Sequence, residues 1–83
     1  MRNNKQQAVL KKIGIEIYKQ RQKKKITRTQ LAIELNTDEK QIRRIEGGEV
    51  NPTILTLFKI CYVLEFDISF LEKIKIGDDF IDH

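Results

Sequence analysis

Two closely spaced sets of helix start and stop signals, between Thr27 and Gly48, constrain this chain more than any other feature. Thr27 is a good N-cap, because its hydroxyl can accept from a free backbone N–H. Gln30, three residues on, completes a capping-box pattern. Asp38 repeats the device, again with Gln three residues later, at Gln41. Between them Asn36 tolerates the left-handed conformation that helix C-termini often need. Gly47 and Gly48 stop the second helix. Leu31, Ala32 and Leu35 face inward from the first helix, and Ile42 and Ile45 from the second. Two short capped helices joined by about three residues must pack on each other at a steep angle.

The flanking sequence supplies the rest of a helical core. From about Gln6 to Lys24, the apolar residues Val9, Leu10, Ile13, Ile17 and Tyr18 fall at spacings of three and four, the stripe of one helix face. Lys23, Lys24 and Lys25 close that helix, where cations are favoured. Pro52 restricts Asn51 to extended backbone. Thr53 then caps a fourth helix, Ile54 to about Leu64, carrying Leu57, Ile60, Cys61 and Leu64. Asp67 caps a short fifth helix with Ile68 and Leu71. Beyond Lys73, Ile74 and Ile76 alternate with lysines, which suits a short strand. Asp78, Asp79 and Asp82 surround Phe80 and Ile81 in a tail expected to fray. The reading is a compact all-α domain of five helices over residues 1–76, with its core at 13–71 and an acidic tail at 77–83.

Composition narrows the function. Eighty-three residues make one domain, and 40% hydrophobic residues suffice for one core. Sixteen Lys and Arg against twelve Asp and Glu give a net charge of +4, which suits a phosphate-binding surface as well as an ordinary basic exterior. Cys61 is the single cysteine, so no internal disulfide forms. No apolar run approaches the ~18–20 residues of a membrane span. Met1 to Gln7 is polar and lacks a signal-peptide hydrophobic region, so a cytoplasmic location is expected. Catalysis is not expected: His83 is the only histidine and the last residue, and Cys61 sits on an apolar helix face. No metal spacing, phosphate-cradling glycine loop or nucleophile elbow is present, and no cofactor is implied.

Taken jointly, these residues resemble the phage-repressor, or Xre/Cro, type of helix-turn-helix. The matching stretch runs from Ile13 to Leu71, about seven tenths of the chain. Ile13, Ile17 and Arg21 match the family's first helix; Thr27, Leu31 and Ala32 its second; Asp38, Ile42, Ile45, Glu46 and Gly48 its third. Pro52, Leu57, Ile60, Leu64 and Leu71 match the helices that close the core. The resemblance implies a lambda-repressor-like fold and a sequence-specific regulator of transcription that binds double-stranded DNA. Two positions depart from the pattern. Arg28 stands where the family commonly has Gln, and Cys61 where it usually has Ala.

A major groove about 12 Å wide admits one helix, while a second helix crosses the backbone and sets the angle. The polar residues left on the outer side of the third helix are Glu39, Lys40, Arg43 and Arg44. By the resemblance, Glu39, Lys40 and Arg44 occupy the base-reading positions. Arg44 suits a forked contact to guanine, Lys40 a guanine or a phosphate, and Glu39 a cytosine amino group. Glu39 equally suits the first turn of a helix simply as an acid. Thr27, Arg28, Gln41 and Arg43 are the candidates for DNA backbone contacts, with helix N-termini assisting. Lys23, Lys24 and Lys25 add general attraction or a solvated helix end.

The family's corresponding Arg and Glu pair between helices one and three, which assigns Arg21 and Glu46 to a structural ion pair. One such domain contacts few base pairs, so the expected assembly is a homodimer on an inverted repeat, with half-sites roughly 34 Å apart. Phe66, Phe70, Ile74, Phe80 and Ile81 are candidates for the dimer contact or for closure of the monomer core. A repressor and a restriction–modification controller both suit this length. The alternative is an antitoxin, which would bind a toxin protein as well as its own operator.

Overall fold

The computed structural model describes residues 4–74, and every described element is helical. Helix α1 spans Asn4–Lys23, α2 Arg28–Glu34, α3 Glu39–Glu46 and α4 Ile54–Leu64. A 3-10 helix, Ile68–Lys73, follows. The fold is the five-helix all-α domain expected, with the last element wound more tightly than an α-helix. No strand occurs among the described residues; Ile74 instead packs against the core as extended chain. Ile76, Phe80, Ile81 and the acidic tail lie outside them.

The start signals act as the residue types require. Thr27 and Gln30 form the reciprocal capping box: the Gln30 N–H donates to the Thr27 hydroxyl at 3.0 Å, and the Thr27 N–H to the Gln30 carbonyl oxygen at 2.8 Å. The Gln41 N–H donates to Asp38 at 2.8 Å, the Thr56 N–H to the Thr53 hydroxyl at 3.1 Å, and the Ser69 N–H to Asp67 at 2.8 Å. These bonds satisfy amides that the helices themselves leave without partners.

All four α-helices end alike. The N–H of Ile26 donates to the Arg21 carbonyl, Thr37 to Ala32, Glu49 to Arg44 and Phe66 to Cys61, at 2.9–3.2 Å. The residue before each of these donors is left-handed: Lys25, Asn36, Gly48 and Glu65. This is the Schellman closure, which ties off the last carbonyls and turns the chain sharply. Asn36 and Gly48 suit the conformation. Lys25 and Glu65 adopt it at a cost of about 1–2 kcal/mol each.

The core is aliphatic and draws on every helix. Ile17, Leu31, Ile42, Ile60 and Leu64 are its largest fully enclosed side chains, with Ile13, Ala32, Ile45, Leu57, Cys61 and Phe70 around them. Leu35 is half-buried at its edge. The inward stripe of α1 differs from the sequence reading at one place. Tyr18 is 41% exposed, and Arg21 takes the buried position a turn further on. Arg21 tolerates burial because each of its three nitrogens donates a hydrogen bond, and the Tyr18 ring covers it from outside, 5.3 Å from centroid to Cζ. The pairings α1–α3 and α2–α3 dominate the interhelical contacts, so α3 is clamped on its inner side by both preceding helices.

Candidate nucleic-acid interface

Helix α3 has one buried side and one wet side. Ile42, Ile45 and Glu46 are buried. Glu39, Lys40, Arg43 and Arg44 all lie exposed on the opposite surface. Among the described residues the side chains of Lys40 and Arg44 make no hydrogen bond or ion pair, so their donors face solvent uncommitted. Glu39 and Arg43 are paired with each other, one turn apart, at 2.7 Å. A contact from Glu39 to a base amino group would compete with that pair, which in an exposed setting is worth only about 0.3–0.5 kcal/mol. Gln41 is half-buried beside the start of α4.

The N-terminus of α2 stands next to this surface. Thr27 is exposed, Arg28 half-buried, and a shallow hollow bordered by Gln22, Lys25, Thr27, Arg28, Thr29 and Glu39 joins the starts of α2 and α3. Donors dominate it, and backbone amides at the head of α2 add partial positive charge. Thr27, Arg28 and Glu39 therefore share one concavity, while Lys40 and Arg44 extend the basic surface along α3.

Behind this surface sits one carboxylate holding two cations. Glu46 accepts from Arg21 Nε at 2.6 Å and from Arg21 Nη2 at 3.1 Å. It also accepts from Arg28 Nε at 3.0 Å. The third nitrogen of Arg21 donates to the Ile26 carbonyl at 2.9 Å, closing the turn between α1 and α2. The Arg21 and Glu46 side chains are 6% and 4% exposed, Arg28 36%. The cluster carries one net positive charge, and it is presented on the Arg28 side. Sequence reading assigned Arg28 to phosphate alone. Its bond to Glu46 appears only once α2 and α3 are placed in space, since 18 residues separate the two.

Two further contacts set the pose of α3 and were absent from the sequence reading. The Gln7 amide donates to the Gly48 carbonyl at 2.7 Å, tying the end of α3 to the first turns of α1. Gly48, at φ 72°, lies so close to α1 that an added Cβ would stand 2.8 Å from the Lys11 Cα. Both its backbone conformation and its surroundings require glycine. The expected contributors to self-association divide. Phe70 is buried in the monomer core, with the Phe66 ring tilted against it at 5.1 Å between centroids and Ile74 packed on the same core. Lys24, in the basic run closing α1, is paired with Glu65.

A rigid two-helix unit with an exposed polar outer face defines a helix-turn-helix protein. The helix-turn-helix family model matches residues 17–71, about two thirds of the chain, and the protein belongs to that family. It is an Xre-like, DNA-binding regulator of transcription. Its fold is similar to that of the restriction–modification controller protein C.AhdI from Aeromonas hydrophila, with a TM-score of 0.73 at 23% identity. The alignment covers 78% of this chain and 94% of that one. Among curated proteins no sequence matches the chain. No helix of the described residues is long and apolar enough to cross a membrane.

Proposed function

We propose that the protein recognises a specific inverted-repeat operator as a homodimer, laying α3 of each copy in a major groove. Arg44 and Lys40 read base edges, with Glu39 contributing where it exchanges Arg43 for a cytosine amino group. Thr27, Arg28, Gln41 and Arg43 hold the sugar–phosphate backbone. Arg21 and Glu46 fix the angle between α1 and α3 and do not touch DNA. The observation that carries this reading is the uncommitted, exposed pair Lys40 and Arg44 on a helix whose other side is locked into the core.

Controller-like or repressor-like regulation suits the same geometry, with dimerisation coupling the protein's own concentration to operator occupancy. The protein acts without catalysis, in the cytoplasm. The exposed charged side of α3 favours DNA over a toxin protein as the partner of that helix.

The test is affinity for duplex DNA across a salt series. Neutralising about four to six phosphates per domain makes log affinity fall linearly and steeply with log salt. Binding that is absent at low salt, or indifferent to salt, would contradict the proposal.

A further inference from the structure

Helix α4 presents a second surface that the DNA-binding reading does not use. Leu57, Ile60, Cys61 and Leu64 face the core. The opposite side of the same helix is also apolar: Ile54, Leu55, Phe58 and Tyr62 are all more than half exposed, Tyr62 to 86%. Their spacing of one, three and four residues draws one continuous stripe. Ile33 of α2, 71% exposed, stands across a groove from Phe58 and Tyr62. Five of the large exposed apolar side chains of this small protein thus lie together. A monomer's surface rarely gathers a patch beyond a few hundred Å² without a partner for it.

We propose that a second copy of this chain covers this face, with the two α4 helices related by a two-fold axis near Phe58. Three features favour a copy of itself. First, the face contains both a ridge, Phe58 and Tyr62, and a groove between α2 and α4, so one copy's ridge fits the other's groove. Second, the groove is rimmed by Glu34 on α2 and Lys59 on α4, and among the described residues neither has an ion-pair partner. A two-fold mate brings each Lys59 toward the other copy's Glu34, and such self-complementarity defines an isologous contact. Third, Phe58 and Tyr62 each supply on the order of 100–200 Å². With Ile33, Ile54 and Leu55 the patch approaches the roughly 800 Å² per partner of a standard interface. The face is separate from the outer side of α3, so both recognition helices stay open to DNA. This assignment rests on the proposal that the protein acts as a dimer, and it places the contact on α4, away from Phe70.

Sedimentation equilibrium of the full chain, with duplex binding in parallel, tests it. The wild type dimerises reversibly. Phe58→Asp and Tyr62→Asp each raise the dimer dissociation constant at least about 30-fold, as loss of a central aromatic anchor does. Their thermal melts as monomers stay unchanged, since both side chains are exposed. Glu34→Lys weakens the dimer, and adding Lys59→Glu restores it. A wild type that stays monomeric at about millimolar concentration, or variants that dimerise normally, would overturn the inference. Binding to a single half-site separates this from the DNA proposal. Phe58→Asp retains half-site binding and loses the extra affinity for the inverted repeat. A protein that dimerises through α4 yet binds no duplex leaves this inference standing and defeats the other.

Discussion

Gly14 of α1 rests directly against the backbone of Glu46 at the end of α3. A Cβ added at Gly14 would stand 2.6 Å from the Ile45 carbonyl oxygen and closer still to that of Glu46. The two helices cross where the smallest residue allows it, and this close approach brings Glu46 within reach of Arg21.

Gly14→Ala is therefore expected to destabilise the protein, although alanine is the better helix former by about 1 kcal/mol. The obstacle is backbone, which cannot swing aside, so a net loss of about 1–3 kcal/mol is expected. Urea unfolding measures it; a variant more stable than wild type would mean that the α1–α3 crossing is looser than described.

Glu46→Ala strands the Arg21 guanidinium in a site nearly closed to water, and a loss of about 3–5 kcal/mol follows. Arg21→Met should cost less, because Glu46 retains Arg28. A double-mutant cycle decides whether the two act as a pair: the double mutant loses less than the sum of the singles, whereas additive losses would contradict direct coupling.

Arg28 lies further out, and the same kind of contact there is worth only about 0–1 kcal/mol to folding. Arg28→Ala should leave the melting temperature nearly unchanged. It should weaken binding to all duplexes alike and reduce the slope of log affinity against log salt by about 1. A selective loss on one sequence would place Arg28 on a base edge.

Burial, reinforced by the nearby Asp67 carboxylate, pushes the Cys61 thiol up to about 11 from its ordinary 9.0. The folded state thus keeps its proton where the unfolded chain loses it. The resulting stability is fully present below about pH 9 and drains away as pH rises toward 11. Comparing wild type with Cys61→Ala cancels the other groups that titrate in this range. The stability difference between them is constant up to about pH 9 and moves against the wild type above it; a difference independent of pH would show that the thiol is open to water.

What could be read from the sequence was what local chemistry determines. Thr27, Asp38, Thr53 and Asp67 start helices because each carries a short side-chain acceptor, and all four make the expected cap bond. Asn36 and Gly48 marked two helix ends; Lys25 and Glu65 gave no sign, since long charged residues seldom turn left-handed. The outer side of α3 followed from periodicity alone. Placement of Tyr18 failed because its ring was counted with the aliphatic stripe, whereas it lies at the rim of the core, over the Arg21 guanidinium. The links of Glu46 with Arg28 and of Gly14 with Glu46 join residues far apart in the chain, and no spacing rule reaches them. The exposed stripe of α4 was hidden for another reason: apolar residues on both sides of a helix look like one buried segment until the neighbours are placed.

The central claim, that the outer side of α3 reads sequence, is tested most directly by selecting bound duplexes from a random pool with wild type and Arg44→Ala. The account predicts an inverted repeat with half-site centres roughly one helical turn apart. It also predicts relaxed preference at one position per half-site in the variant, with an affinity loss of about 1–3 kcal/mol. An unchanged preferred sequence with Arg44→Ala would contradict base reading by Arg44.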